Sequence, residues 1–281
     1  MFSRLLICLS FISSVAFADP TQVLPDGRIA YYGEFATFLG SPVKFSSSDI
    51  KKALYDVMSS SHLSVKGKVD RIGACEGERN CYRHQEVGYS RARIIMFGEL
   101  FVERDDKGTY VDEVYCQKRI YYKQATDISR MNNVVNIEHT WPQSKFSRSY
   151  GKELQKSDLH HLFPTDSKAN GIRGNHAFGE VLAGYTNNAL CEASSIDQTN
   201  GGLVFAPPAE QRGNTARAMF YFSIRYQMPI DRDQEATLRQ WHKNDPIDTD
   251  EIERNNKIAA HQKSRNPFVD FPELVDQITD F

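Results

Sequence analysis

Glu138 and His139 stand side by side in residues 134–176, VVNIEHTWPQSKFSRSYGKELQKSDLHHLFPTDSKANGIRGNH, and Asn170 follows on the same stretch. Imidazole, carboxylate and carboxamide are the groups that hydrolyse a phosphodiester together with one hard cation. An imidazole titrates near neutral pH, so His139 is the natural general base for taking a proton from water. Glu138 and Asn170 offer the oxygen ligands that Mg²⁺ prefers, leaving its other positions to water and phosphate. Mn²⁺ or Ca²⁺ are the substitutes such a donor set would accept.

The elements around these residues decide whether they can meet. Val134, Val135 and Ile137 are β-branched and predict a short strand ending near His139, because Pro142 cannot continue a ladder. A polar loop runs to Ser157. Residues 158–163 read as a second strand closed by Pro164, and Thr165 or Asp166 caps a short helix through Ala169 and Asn170. Adjacent strand residues point to opposite faces, so Glu138 and His139 converge only where the strand ends or bulges. Pro142 supplies such an ending.

The loop between the strands carries Lys145, Arg148, Lys152 and Lys156 against one acid, Glu153, and Arg173 adds a charge near Asn170. Taken alone, such a run is a solvated surface; beside a phosphodiesterase centre it would bind backbone phosphates, with salt-sensitive affinity. His160 and His161 open a rival reading, a three-histidine zinc site with His139. Only one of two adjacent strand residues can face the site, and the spacing matches no helical H-E-x-x-H motif. His160 is therefore expected as support for the centre and His161 as structural or exposed.

The run Glu138-His139-Thr-Trp-Pro142, with Asp158-Leu159-His160, Pro164 and Asn170-Gly171-x-Arg173-x-Asn175, resembles the secreted or periplasmic endonuclease I family of non-specific nucleases, in the ββα-metal (His-Me finger) group. Upstream, Tyr89-Ser-Arg-Ala-Arg93 and Val114-Tyr-Cys116 fit its pattern. Downstream, Arg212-Gly213-x-x-Ala216-Arg217-Ala-Met-Phe-Tyr221, Trp241, Asp245-Pro246, Glu253-Arg254-Asn255 and Asn266-Pro267-Phe268 fit as well. The resemblance implies His139 as general base, Glu138 and Asn170 as Mg²⁺ ligands, and a loop arginine on the cleaved phosphate. Arg148 is the first choice for that arginine and Lys145 the second. His161 stands where many relatives have asparagine, and Arg212 where many have lysine.

The chain has 281 residues. With 40% hydrophobic and 25% charged residues, and no linker or repeat, one domain over 19–281 is expected. A formal net charge of −2 excludes a globally basic nucleic-acid binder. Residues 1–18 read as an export signal: Arg4, an apolar run 5–17, and Ala16-Phe17-Ala18 before Asp19. Cys8 would leave with it, and the remaining Cys75, Cys81, Cys116 and Cys191 suggest two disulfides with three pairings open. Cys75 with Cys81 is favoured as the local bridge, since Gly77 sits in the short loop between them; Cys116 would then pair with Cys191. Paired C-x₂-C knuckles for zinc are absent.

Helices are expected over 50–58 after a Ser48 cap, 89–100, 214–227, and from an Asp248/Glu251 capping box to about Gln262. Strands are expected over 110–116 and 203–206, with 64–88 a surface excursion and Arg217 structurally paired. The composite expectation is a mixed α+β fold with a ββα-metal centre at 134–176. It would be a secreted or periplasmic, Mg²⁺-dependent endonuclease that cleaves DNA and RNA to 5′-phosphate products. It would meet nucleic acid through backbone phosphates, as a monomer with no membrane partner once the signal is removed. A zinc hydrolase and a catalytically silent, disulfide-bonded nucleic-acid binder are the alternatives, separated by metal add-back and by plasmid nicking with and without EDTA.

Overall fold

The strand Val135–His139 pairs antiparallel with Leu162–Asp166, setting Glu138 opposite Phe163 and His139 opposite Leu162. The helix Ser167–Arg173 follows directly. Asp166 begins that helix, its carboxylate accepting from the N–H groups of Lys168 and Ala169 at 2.9 and 3.1 Å, which satisfies donors that a first turn leaves free. Gly174 ends it at φ +53°, a conformation that disfavours residues with a Cβ. In this computed structural model, residues 19–39, 45–181, 191–199 and 202–281 are described. The stretch 1–18 expected as an export signal, with Cys8, and most of the loop expected from Gly40 lie outside them.

The second strand differs from its expectation. Asp158 does not enter a strand; its carboxylate accepts from His160 N–H at 3.1 Å and winds Leu159–His161 into a 3₁₀ turn. The strand starts at Leu162 and runs through Pro164. Pro164 is tolerated because it lies opposite Ile137 with its backbone turned away from that partner. Its carbonyl accepts instead from Val114 N–H at 2.9 Å, so the missing N–H removes no ladder bond.

Other elements shift for similar local reasons. The first long helix is Ser47–Ser59, capped by Ser46 and Asp49 in a reciprocal box rather than by Ser48. The stretch 64–88 is not all surface: Arg71–Ile72 and Cys81–Tyr82 flank His62–Leu63 in a small antiparallel sheet, and Asp70, Cys75 and Tyr82 are buried. Helix Tyr89–Ile95 continues into a π-helical turn, Met96–Leu100. The strand Gly108–Asp112 stops before Cys116, because the buried Glu113 carboxylate accepts from the N–H groups of Tyr115, Cys116 and Lys118 and curls the chain. A fourth bond, from Asp166 N–H at 2.6 Å, ties that curl to the second strand of the central pair. Strand Gly202–Ala206 pairs with Ser195–Thr199 and Ala177–Phe178.

Helix Ala209–Tyr226 begins earlier than expected, straight after Pro208, and most of it is buried. Arg232–Asn244, not anticipated as a helix, packs against it, and Thr249–Gln262 follows. Asp248 caps this last helix through Glu251 N–H at 2.8 Å. The Glu251 side chain turns inward to Arg217 at 2.6 Å instead of closing the box. Both predicted disulfides are present, Cys75–Cys81 and Cys116–Cys191, with Cα separations of 5.6 and 5.4 Å. No helix of the described residues is long and apolar enough to cross a membrane. The architecture is mixed α+β.

Two apolar clusters meet at the central pair. Val135, Ile137, Leu159 and Leu162 join Ala92, Ile95 and Met96 in one. Trp141 and Ala169 join the aromatic core around Phe220, Tyr221 and Phe222 in the other. The strand and helix that carry Glu138, His139 and Asn170 are therefore clamped from both sides.

Candidate active site

Alternation along Val135–His139 sends Asn136 and Glu138 toward the helix Ser167–Arg173, and Ile137 and His139 toward the helix Tyr89–Ile95. The contacts follow that division. Asn136 meets Asn170 and Glu138 meets Arg173. His139 lies beside Tyr89, with ring centroids 5.5 Å apart. Because the strand stops at His139, an open cleft of about 720 Å³ wraps around its end and is lined by Glu138, His139 and Asn170 together. The two adjacent side chains diverge and still border one space.

His139 is nearly buried, and its Nε2 faces the Lys156 carbonyl at 3.0 Å. A carbonyl only accepts, so Nε2 carries the proton and Nδ1 keeps its lone pair. Gln143 Nε2 approaches that atom at 3.3 Å. Burial, and then the neighbouring His161, holds the His139 pKa well below the ordinary imidazole value, which leaves the ring neutral and able to accept a proton.

Asn170 is oriented as firmly. Its Nδ2 donates to Asn136 Oδ1 at 2.7 Å and to the Ile137 carbonyl at 3.1 Å. Both partners are acceptors, so the nitrogen is fixed and Oδ1 is the free end of the amide. Glu138 is 1% exposed, and its Oε1 lies 2.8 Å from Arg173 Nη1 without a well-aligned hydrogen bond. Burial pushes its pKa up to about 7, although the Arg173 charge pulls the other way. A free amide oxygen and a desolvated carboxylate on one cleft form a donor set that fits a hard divalent cation.

Arg173 was expected to reach substrate. It is instead 2% exposed, with Nη1 donating to the His139 carbonyl at 3.1 Å and Nη2 to the Thr140 carbonyl at 2.7 Å. Lys145 and Arg148 are exposed and lie outside the residues lining the cleft. His160 packs on Tyr221, with Nε2 at the Ser264 carbonyl, and does not line the cleft. His161 takes the structural alternative: it is fully buried, and it is the member of the pair that packs on His139, centroids 5.3 Å apart. Each of the three imidazoles turns Nε2 to a different carbonyl, of Lys156, Ser264 and Gln155. Among the described residues no group of three or more His, Cys, Asp or Glu side chains converges as a metal site. The three-histidine zinc arrangement is not formed.

Arg93, Asn136 and Gln143 border the cleft without having been singled out for the chemistry. Asn136 carries a signal only in retrospect: it lies two residues before Glu138, hence on the same strand face.

A model of the family described as endonuclease I matches residues 80–273. An extracellular ribonuclease of Bacillus subtilis is 32% identical over 164 residues, covering 51% of this chain and 53% of that protein. A periplasmic deoxyribonuclease of Aeromonas hydrophila is 29% identical over 163 residues, covering 53% and 66%. An extracellular deoxyribonuclease of the same organism is 29% identical over 184 residues, covering 56% and 80%. The chain spans about half the length of the Bacillus relative it matches. With the Glu-His pair, the Asn-Gly-x-Arg run and the flanking motifs all inside the matched segment, the chain belongs to the endonuclease I family.

Proposed function

We propose that this protein is an exported, Mg²⁺-dependent endonuclease of ββα-metal type, hydrolysing phosphodiester bonds of DNA and RNA to 5′-phosphate products. The observation that carries the reading is the shared cleft of Glu138, His139 and Asn170, with His139 presenting an unprotonated Nδ1. His139 takes a proton from the attacking water at Nδ1, while the Lys156 carbonyl holds the ring and favours the imidazolium that forms. Glu138 and Asn170 Oδ1 would hold the cation. When bound, it supplies Lewis-acid stabilisation of charge on the phosphorus oxygens and the leaving 3′ oxygen. Arg173 braces the site by fixing Glu138 and the carbonyls of residues 139 and 140. Water is the nucleophile, so no ribose 2′-hydroxyl is required and both nucleic acids are substrates. Extracellular and periplasmic nucleases among the relatives support the exported location.

The test is plasmid nicking with Mg²⁺ and with EDTA. Wild type is expected to nick only with the metal, and His139→Ala to lose at least about 10²-fold in rate while keeping its fold and DNA affinity. Near-normal turnover by His139→Ala would refute the assignment.

A further inference from the structure

Arg93 is 8% exposed and lines the cleft on the wall formed by the helix Tyr89–Ile95. Its Nε donates to the Ser129 carbonyl at 2.8 Å, and the rings of Tyr89 and Phe97 flank the guanidinium at 5.9 and 5.8 Å. Nη2 finds no acceptor, and no carboxylate pairs with the charge among the described residues. A buried guanidinium without an anion is unfavourable unless a ligand completes it. The other cation lining the cleft, Arg173, is already engaged with Glu138 and two carbonyls.

We infer that Arg93 is a phosphate-binding residue of the cleft, taking a non-bridging oxygen of the nucleic-acid backbone through its uncommitted Nη donors. The planar fork of a guanidinium suits phosphate oxygens. Tyr89, one turn away on the same helix, packs against His139, so the phosphate held by Arg93 lies along the wall that adjoins the base. This deepens the nuclease reading and rests on it. It also gives the cleft an anion anchor of its own, whereas Lys145 and Arg148 stand outside the lining.

The experiment is anisotropy binding of duplex DNA to the full chain, with its disulfides intact, in EDTA across a range of NaCl concentrations. Arg93→Met is expected to bind about tenfold more weakly at low salt. The slope of log K against log salt should be shallower by about 0.9, one phosphate contact. An unchanged slope and affinity would overturn the inference. If Arg93→Met melts out by circular dichroism, Arg93→Lys is measured for cleavage in Mg²⁺. Keeping the charge but losing the fork, it should raise KM severalfold at the wild-type salt slope, and an unchanged KM would overturn the assignment. Wild type that neither binds nor nicks DNA would end the nuclease reading itself. Wild type that does both, beside an unaltered Arg93→Met, would end only the role of Arg93.

Discussion

The chemistry proposed for His139 and Asn170 depends on what holds their other ends. A carbonyl at Nε2 fixes the tautomer of His139, and two acceptors at Nδ2 fix which end of the Asn170 amide is free. Asn136 contributes one of those acceptors and also receives the Thr165 hydroxyl at 3.2 Å. A residue that orients a metal ligand without touching the metal contributes roughly 10- to 100-fold in metal affinity or activity. Asn136→Ala is therefore expected to raise the Mg²⁺ concentration giving half-maximal cleavage by about that factor, with little change in melting temperature. Magnesium titration of the purified variant checks this, and a curve superimposable on wild type would remove Asn136 from the site.

At the scale of elements, Asp158 does more than either histidine beside it. Its buried carboxylate accepts from His160 N–H, from Gln262 Nε2 at 2.8 Å, and from the hydroxyls of Tyr221 and Tyr226 at 3.0 and 2.8 Å. It thereby pins the 3₁₀ turn before the second strand to two long helices. Removing it leaves several buried donors unmatched, each worth about 1–3 kcal/mol. Asp158→Ala is expected to destabilise the protein by about 3 kcal/mol or more, and Asp158→Asn, which keeps an acceptor, by less. Urea unfolding of both variants measures the difference; equal, small losses would show that the carboxylate is not the tie.

For the whole molecule, stability should depend on acid more than the modest net charge suggests. Burial lowers the pKa of His160 to about 3 and of His161 to about 4, although Asp158 pulls both upward. These folded values lie below the unfolded imidazole value of about 6.5. The native state thus holds fewer protons than the unfolded chain between those limits. Stability is full above pH 6.5 and falls as pH drops toward 4, by about 1.4 kcal/mol per pH unit for each ring. Urea midpoints measured from pH 7.5 to 4.5 should decline steadily below 6.5. A flat profile down to pH 5 would show that the two rings titrate normally. On the proposed function, nucleic acid would meet a molecule of net charge −2 through a few local cations, so its binding should weaken with salt.

The residue types, the strand–strand–helix order around Glu138, His139 and Asn170, and the Cys75–Cys81 bridge were legible in the sequence, because each rests on local periodicity, capping or short spacing; the pairing of Cys116 with Cys191, 75 residues apart, followed only as the remainder. The strand through Pro164 was not, since it depends on which way that residue faces relative to Ile137 and Val114. Which of the two histidines packs on His139 was hidden too, because Asp158 turns a presumed strand into a 3₁₀ turn, and both imidazoles are buried, His161 against His139 and His160 against Tyr221. Arg173 reads as a free cation in a basic neighbourhood. Only the packed structure buries it against Glu138 and two carbonyls, and brings Arg93, from a helix distant in sequence, to the same cleft without a carboxylate partner among the described residues. Charge can be counted from composition, but whether it is already neutralised is settled by neighbours that chain folding brings from far away.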